Sequence, residues 1–289
     1  MASYHASYVV LGIPIDVRVC DADAFARVDE TYAAFRAPPA AAPAFAAWLS
    51  RADDGAYLVA DTHGSSQRWP DAHAATIGML DRMVHGVLAE LYARGIYAIH
   101  AGACTYRSAA LIIAGRSGQG KTTLTLGLVR RGFGLLSDEF AVVAPGTRQI
   151  LPYHRSIHIR PGTPELIREL GFVAERPPVH LGGGIEWTLT PDDLARAFPG
   201  CLAPAAPLGA VLLLDGPPRP GEPPAITPLP AALATIELLR GTWAASRGFA
   251  DGLARIASLL DGVRCAKLRT GTLDATAECI TQWLEASDD

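Results

Sequence analysis

The chain has 289 residues, of which 49% are hydrophobic, and carries a formal net charge of −4 at pH 7. A charge this close to neutral excludes the basic footprint of a nucleic-acid-binding protein, and no apolar run reaches the ~18 residues needed to cross a membrane. Five scattered cysteines without a C-x-x-C pair argue against a disulfide framework or a zinc site, and Met1–Leu11 lacks a signal-peptide pattern, so we expect a cytoplasmic protein.

Residues 1–95 are predicted to form a smaller N-terminal α+β lobe. Its strands are expected from runs rich in Val and Ile, and its helices from apolar residues at helical spacing. The predicted elements are one or two strands in Tyr8–Val19, a helix Asp23–Phe35 capped by Asp23, a loop Ala37–Pro43, a strand Gly55–Asp61, a turn His63–Pro70, and a helix Ala74–Arg94 ended by Gly95. The pattern leaves open whether this lobe is independent of the next.

Residues 96–289 are predicted to form a second lobe of the α/β class. Its predicted strands are Ile96–Cys104, Ala109–Ala114, Leu135–Phe140 with its continuation Ala141–Val143, the alternating segment Pro152–Arg160, Ile185–Leu189, Ala210–Leu214 and Arg264–Leu268. Its predicted helices are Thr122–Arg131, Pro164–Leu170 capped by Thr163, Pro191–Phe198 capped by Thr190, Ala231–Leu239, Phe249–Leu260 and Leu273–Glu285. Gly182–Gly184 is expected to be flexible, and Gly216–Pro230 is expected to be a loop.

A phosphate-binding loop joins the second of these strands to the first helix. Gly115, Gly120, Lys121 and Thr122 match G-x-x-x-x-G-K-[ST] at every fixed position. The glycines let successive N–H groups turn inward toward a polyphosphate, and the helix N-terminus adds about half a positive charge. In such a loop Lys121 reaches the β- and γ-phosphates, and the Thr122 hydroxyl binds Mg²⁺. The residues predicted to hold the nucleotide are Gly115, Arg116, Ser117, Gly118, Gln119, Gly120, Lys121, Thr122 and Thr123.

Two acids follow the loop, Asp138 and Glu139, at the end of a predicted strand. In P-loop enzymes one acid on such a strand holds Mg²⁺, and a second positions the attacking group. Adjacent residues of an extended strand point to opposite faces, so only one acid is certain to face the phosphates unless the chain bends there. A solvated strand end followed by a turn is the alternative interpretation.

The loop followed by Arg131-Gly-Phe-Gly-Leu-Leu-Ser-Asp138-Glu139 resembles the catalytic domain of HPr kinase/phosphorylase. In particular it resembles the HPr-kinase-related proteins of peptide-biosynthesis clusters, such as lasso-peptide precursor kinases. That family also has a His on the strand before the loop, where His100 stands here. The resemblance covers residues 96–170 best. It implies a P-loop nucleotide domain like that of PEP carboxykinase, with a mixed, bent sheet flanked by helices.

The resemblance also implies roles for the residues around the loop. Asp138 would be the general base that takes the proton from a substrate hydroxyl. Glu139, in place of the family's second Asp, would help to hold Mg²⁺, so the candidate metal ligands are Thr122, Glu139 and Asp138. His100 would orient Asp138 or the attacking group, and the alternative for His100 is a hydrogen-bonded core histidine.

A further segment of the family, E-I-R-G-x-G, has its closest match in Ile157–Gly162. Arg160 keeps the arginine, which could stabilise charge on the transferred phosphoryl group, and the alternative for Arg160 is a surface salt bridge. His158 replaces a glutamate that would help with the metal. This departure argues against an authentic HPr kinase with reversible phosphorylase action and favours a diverged relative with another acceptor.

The leading hypothesis is therefore a kinase that uses ATP and Mg²⁺ to phosphorylate a hydroxyl, above all a Ser of a peptide or small protein. One alternative acceptor is a small metabolite such as free serine. Another alternative is a regulatory nucleotide-binding ATPase with no acceptor. The family also raises the expectation of a homo-oligomer, with no nucleic-acid or membrane partner. The choice between ATP and GTP stays open, as does the direction of the reaction.

Overall fold

The computed structural model describes residues 3–181, 184–217, 221–242 and 249–286. The strands are β1 Tyr4–Val10, β2 Ile13–Val19, β3 Phe45–Arg51, β4 Tyr57–Asp61, β5 Ser66–Trp69, β6 Tyr97–Tyr106, β7 Ala109–Ala114, β8 Gly134–Ser137, β9 Phe140–Val143, β10 Gln149–Leu151, β11 Ile157–Ile159, β12 Val179–Leu181, β13 Gly184–Leu189, β14 Ala206–Leu214, β15 Ala225–Pro228 and β16 Arg264–Arg269. The helices are α1 Ala22–Tyr32, α2 Ala72–Ala93, α3 Lys121–Arg130, α4 Thr163–Leu166, α5 Pro191–Ala197, α6 Ala231–Arg240, α7 Phe249–Leu259 and α8 Leu273–Glu285, with 3₁₀ turns at Ala33–Phe35 and Arg168–Glu175.

The first compact unit comprises Met1–Arg94, Arg155–Arg160 and Arg176–Pro191. Its larger sheet has the order β1-β2-β3-β4-β5, and every neighbouring pair is antiparallel except β2 and β3. Helix α2 packs on β3 and β4. The Phe45 ring lies where a Cβ on Gly86 of this helix would stand, so the glycine is required for the close approach. The last two segments of the unit form a small antiparallel sheet, β11-β13-β12.

The second compact unit comprises Gly95–His154, Pro161–Glu175 and Asp192–Asp289. Its mixed sheet has the order β10-β9-β6-β7-β14-β16-β15, and β8 also pairs with β6. Strands β7, β14 and β16 are parallel, whereas β6 runs antiparallel to β7. Strand β10 pairs with both β9 and β14, so the pairings β9-β6-β7-β14-β10 close into a ring. A mixed, bent sheet with flanking helices is therefore present.

Several predicted elements need correction. Asp21, not Asp23, caps α1, because its carboxylate accepts the Ala24 N–H at 2.9 Å. Thr163 lies inside α4 rather than capping it, and the Gly162 N–H donates to Glu165 instead. The helix predicted for Pro164–Leu170 ends early and continues as a 3₁₀ turn.

Additional strands account for the remaining differences. The predicted turn His63–Pro70 contains β5, and the predicted loop Gly216–Pro230 contains β15. Both are edge strands whose polar or proline-containing sequences form a ladder only because a partner strand lies beside them. Strands β3, β10 and β12 were not predicted. Of the predicted flexible segment Gly182–Gly184, the first two residues lie outside the described residues.

The sequence predicts a boundary between the two lobes at residue 95. The first compact unit also contains residues 155–160 and 176–191, which the prediction did not include. The boundary stays a prediction of domain organisation. Within the described residues, no helix has the length and apolar character needed to cross a membrane.

Replacing Gly102 with Ala is expected to destabilise the second unit, because α3 packs closely on β6 at this residue. An added Cβ would lie 2.3 Å from the Thr125 Oγ1. Overpacking of this kind costs about 1–3 kcal/mol in the free energy of unfolding, measured by urea denaturation. The double variant Gly102→Ala/Thr125→Ala should regain most of the loss. Gly171→Ala, with open space around the new methyl, is the control, and an equal loss there would contradict the packing argument.

Candidate functional site

The phosphate loop lies between β7 and α3, as its motif predicts. Gly118 and Gly120 have φ values of +79° and +86°, in the left-handed region that favours glycine. The Gln119 side chain folds back, and its Oε1 accepts the Arg116 N–H at 2.6 Å. Residues 116–118 at the tip are exposed. The loop is therefore held in shape by its own contacts, with its tip open to a ligand.

Lys121 lies at the start of α3 and is buried, with only 8% of its surface exposed. Its Nζ donates to the carbonyl oxygens of Gly115 at 2.8 Å and Arg116 at 3.2 Å. Burial lowers the pKa of the ammonium, whereas the carboxylates of Glu139 and Asp138 oppose this shift. The one buried cation of the loop thus lies within electrostatic reach of both acids.

The two acids occupy a bend between β8 and β9, not the end of a continuous strand. This corrects the predicted strand Leu135–Phe140. The buried Ser137 hydroxyl forms the bend by accepting the N–H groups of Glu139 at 3.2 Å and Phe140 at 3.0 Å. The Glu139 carbonyl in turn accepts the Ala101 N–H of β6 at 3.0 Å. Because the chain bends here, strand alternation does not force the two carboxylates onto opposite faces.

The threonines that follow Lys121 have different environments. Thr122 is half-buried at the N-terminus of α3. The Thr123 hydroxyl lies 2.9 Å from the buried Thr163 hydroxyl of α4. At the other end of α4, Arg130 donates to the Leu166 carbonyl at 3.1 Å. Hydrogen bonds at both ends of α4 therefore hold this helix against α3.

His100 lies on β6, where it pairs with Phe140 of β9. Its side chain is exposed, and the two ring centroids are 5.9 Å apart. Its backbone N–H donates to the Gly241 carbonyl at 2.9 Å. Phe140 directly follows the acidic pair, so His100 lies at the same end of β6 as the bend. It is not a core histidine.

His158 lies on β11 and Arg160 directly follows this strand, in the first compact unit. The Arg160 Nε donates to the buried Glu186 carboxylate at 3.0 Å, although 63% of the arginine side chain is exposed. Burial, with the charges of Arg155 and Arg27, lowers the pKa of His158 to about 4, so this imidazole is neutral at pH 7. The catalytic role of Arg160 stays a prediction.

The oxygen donors beside the loop fit Mg²⁺. Magnesium is held by one or two carboxylates together with substrate phosphates, and Asp138, Glu139 and the Thr122 hydroxyl supply hard oxygen ligands of this kind. In the described part of the chain, no cluster of three or more His, Cys, Asp or Glu suits a metal ion. A site made only of protein ligands is therefore not seen there, and a site shared with a nucleotide is the arrangement that the donor set supports.

Sequence reasoning missed two residues that shape this site. Ser137 was read as part of a strand, although Ser is a residue whose hydroxyl accepts N–H groups two and three positions on. The serine before the acidic pair could therefore have predicted the bend. Thr163 was expected to cap a helix, and its contact with Thr123 depends on how α4 packs, which no local pattern indicates.

The chain was compared with known families, curated sequences and solved structures. No family model matches the chain, and no curated protein sequence matches it. The chain is similar to the HPr(Ser) kinase/phosphatase from Coxiella burnetii, at 14% sequence identity, covering 66% of this chain and 99% of that chain with a TM-score of 0.33. A TM-score below 0.5 is too low to transfer any property. The conclusions about function therefore rest on the residues around the phosphate loop.

Proposed function

We propose that this protein is an ATP-dependent kinase that transfers the γ-phosphoryl group to a hydroxyl, most specifically a Ser of a peptide or small protein. One observation carries the proposal: the bend that holds Asp138 and Glu139 is hydrogen-bonded to Ala101 of β6, which pairs with Ala114, the residue directly before the phosphate loop that contains Lys121. A phosphate loop alone needs only to bind nucleotide. An acidic pair beside its lysine adds the groups required to activate an acceptor and to share a metal ion.

In the proposed reaction Asp138 accepts the proton of the acceptor hydroxyl. The hydroxyl oxygen forms a bond to the γ-phosphorus as the bond from that phosphorus to the β,γ-bridging oxygen breaks, and ADP leaves. The Lys121 ammonium and the N–H groups of the loop stabilise the charge on the phosphates. Bound Mg²⁺ would supply Lewis-acid stabilisation of the same charge, held by Thr122, Glu139 and Asp138. We assign His100 to orienting Asp138 or the acceptor, and Arg160 to stabilising the transferred group.

The wider proposal is that the chain is a diverged, cytoplasmic member of the HPr-kinase-like group, and a homo-oligomer. Its support is the loop, the His100 position and the acidic pair, together with the mixed sheet closed through β10. A tailoring kinase for a precursor peptide is the acceptor assignment that we favour. The proposal includes no nucleic-acid or membrane partner, in keeping with the net charge of −4.

The test is a mass-spectrometric transfer assay. The protein is incubated with Mg·ATP and, in separate reactions, free serine, HPr, and any precursor peptide encoded beside its gene. We expect a gain of about 80 Da on a peptide Ser, the mass of one phosphoryl group. A product on free serine alone would replace the peptide with a metabolite acceptor. ATP consumption that is equal with and without every acceptor would reject the kinase in favour of an ATPase.

Nucleotide affinity is expected to fall as the pH rises. The fall should begin at a lower pH than it would if the loop lysine were exposed. Only the protonated amine attracts phosphate, and burial lowers the Lys121 pKa, so this attraction is present at low pH and lost at a lower pH than usual. The dissociation constant for Mg·ATP should be measured between about pH 7 and pH 10. Lys121→Arg keeps its charge over this range, so an equal decline in that variant would assign the pH dependence to another group.

A further inference from the structure

A cavity in the second compact unit lies away from the phosphate loop. Its volume is about 510 Å³, and it lies between the start of β6, the turn joining β9 to β10, and α7. No residue of the phosphate loop lines it. On β6, Gly102 and Cys104 contact Thr125 of α3, so Tyr97 and Ile99, at odd-numbered positions, face the opposite side of the sheet.

The floor of the cavity is apolar and buried. Ile99 and Ile256 are almost fully buried, and Val143 and Leu259 have no more than 8% of their surfaces exposed. This floor itself offers almost no surface to a ligand. The apolar surface that a ligand can cover belongs to three lining residues that are not buried, Ala144, Pro145 and Ala254, and covering it removes apolar surface from water. The volume lies in the range of about 300–1,000 Å³ typical of small-molecule pockets.

The charged groups on the rim are arginines. Arg148 and Arg255 line the cavity, and among the described lining residues there is no Asp or Glu. Arg148 is half exposed, and its contact with Asp261 is loose, at 3.6 Å from a carboxylate that is 86% exposed. A surface pair of this kind is weak, so an incoming anion can compete for Arg148.

Arg255 is held in a fixed position. Its Nε contacts the Asp251 carboxylate at 3.1 Å, and its Nη1 donates to the Gly95 carbonyl at 3.2 Å. Its guanidinium lies 4.7 Å from the Tyr97 ring centroid, and the Tyr97 hydroxyl donates to Asp251 at 2.9 Å. A guanidinium ordered before the ligand arrives reduces the entropy cost of binding.

We propose that this cavity binds a small organic anion, in which a carboxylate or phosphate meets the two arginines and an attached apolar group covers Ala144, Pro145 and Ala254. The ligand is a different molecule from the nucleotide, since the cavity shares no residue with the phosphate loop. The two strands that form its inner wall connect it to the catalytic site. Strand β9 begins beside Glu139, and Ile99 directly precedes His100.

The test uses 2-naphthoate as the probe and isothermal titration calorimetry on the full chain. We expect saturable binding with one site per chain, and about 10-fold weaker binding of the neutral analogue 2-naphthylmethanol, because a charged partner strengthens each hydrogen bond. Arg148→Gln should weaken naphthoate binding about 10-fold for the same reason. Ser258→Trp should abolish it, because Ser258 lines the cavity and the indole would occupy space that the ligand needs.

The matched control is Arg107→Gln, which removes an arginine from a separate cavity near the amino end of β7. It should bind naphthoate like the parent chain. Equal binding by Arg148→Gln and the parent, retained binding by Ser258→Trp, or no heat at millimolar probe would each overturn the proposal. Displacement of naphthoate by ATP would also overturn it, because it would place the probe on the phosphate loop. Thermal melts of each variant confirm that the chain is folded.

Discussion

Lys121→Ala is expected to abolish ATP-dependent phosphoryl transfer while leaving the chain folded. The substitution removes the ammonium that neutralises the β- and γ-phosphates as charge develops on them. Loss of one such group typically costs a factor of about 10²–10³ in kcat, and nucleotide affinity should fall as well. Among the described residues the amine donates to the Gly115 and Arg116 carbonyls of its own loop, so the stability cost should be small compared with the catalytic loss.

The chain offers a matched control for this variant, because Lys267 is its other lysine. Lys267 is exposed on β16, so Lys267→Ala changes the same charge without touching the loop. Transfer is measured by mass spectrometry of the acceptor, nucleotide affinity by calorimetry, and folding by circular dichroism. Transfer at the parent rate by Lys121→Ala would show that the loop is not the site of chemistry.

Asp138→Asn is expected to preserve nucleotide binding and to remove transfer. The amide matches the carboxylate in size but cannot accept the proton of the acceptor hydroxyl. General base catalysis contributes a factor of about 10²–10⁴, and the loss should appear in kcat rather than in KM for ATP. Asp138 is 9% exposed, so the isosteric change keeps the packing of the bend.

The kinetic effect of Asp138→Asn should be compared with that of Glu139→Gln. If Glu139 holds Mg²⁺, that variant should need a higher Mg²⁺ concentration for half-maximal activity, with a smaller loss at saturating metal. A variant Asp138→Asn that lost only Mg·ATP affinity would make Asp138 a metal ligand and leave the base unassigned. Asp54→Asn, on an exposed turn of the first unit, is the control for removing one carboxylate.

The phosphate loop could be predicted from the sequence because its chemistry is local. The fixed spacing of Gly115, Gly120 and Lys121 determines the turn, and the apolar run before it coincides with β7 residue for residue. The acidic pair was also found by its distance from the loop. Its geometry was not, because a hydroxyl at Ser137 converts an apparent strand into a bend.

The parts that could not be predicted depend on partners distant in the chain. Strand β10 has three residues and exists because β9 and β14 both lie beside it. The segment that carries Arg160 joins the first compact unit through its pairing with β13, as in Ile159 opposite Trp187. Nothing in the local pattern of Ile157–Gly162 indicates that pairing. The functional roles of His100 and Arg160 therefore remain predictions that only variants can test.

The ring of paired strands has a consequence for how the protein is made. Strand β7, which carries the phosphate loop, pairs on one side with β6 directly before it and on the other with β14, where Ala114 lies opposite Leu213. A nascent chain on the ribosome that has passed the loop can form only the first of these ladders. One edge of the nucleotide-binding segment therefore stays unpaired until β14 has been synthesised. Unpaired strand edges are prone to aggregation, and chaperones protect such parts of a nascent chain.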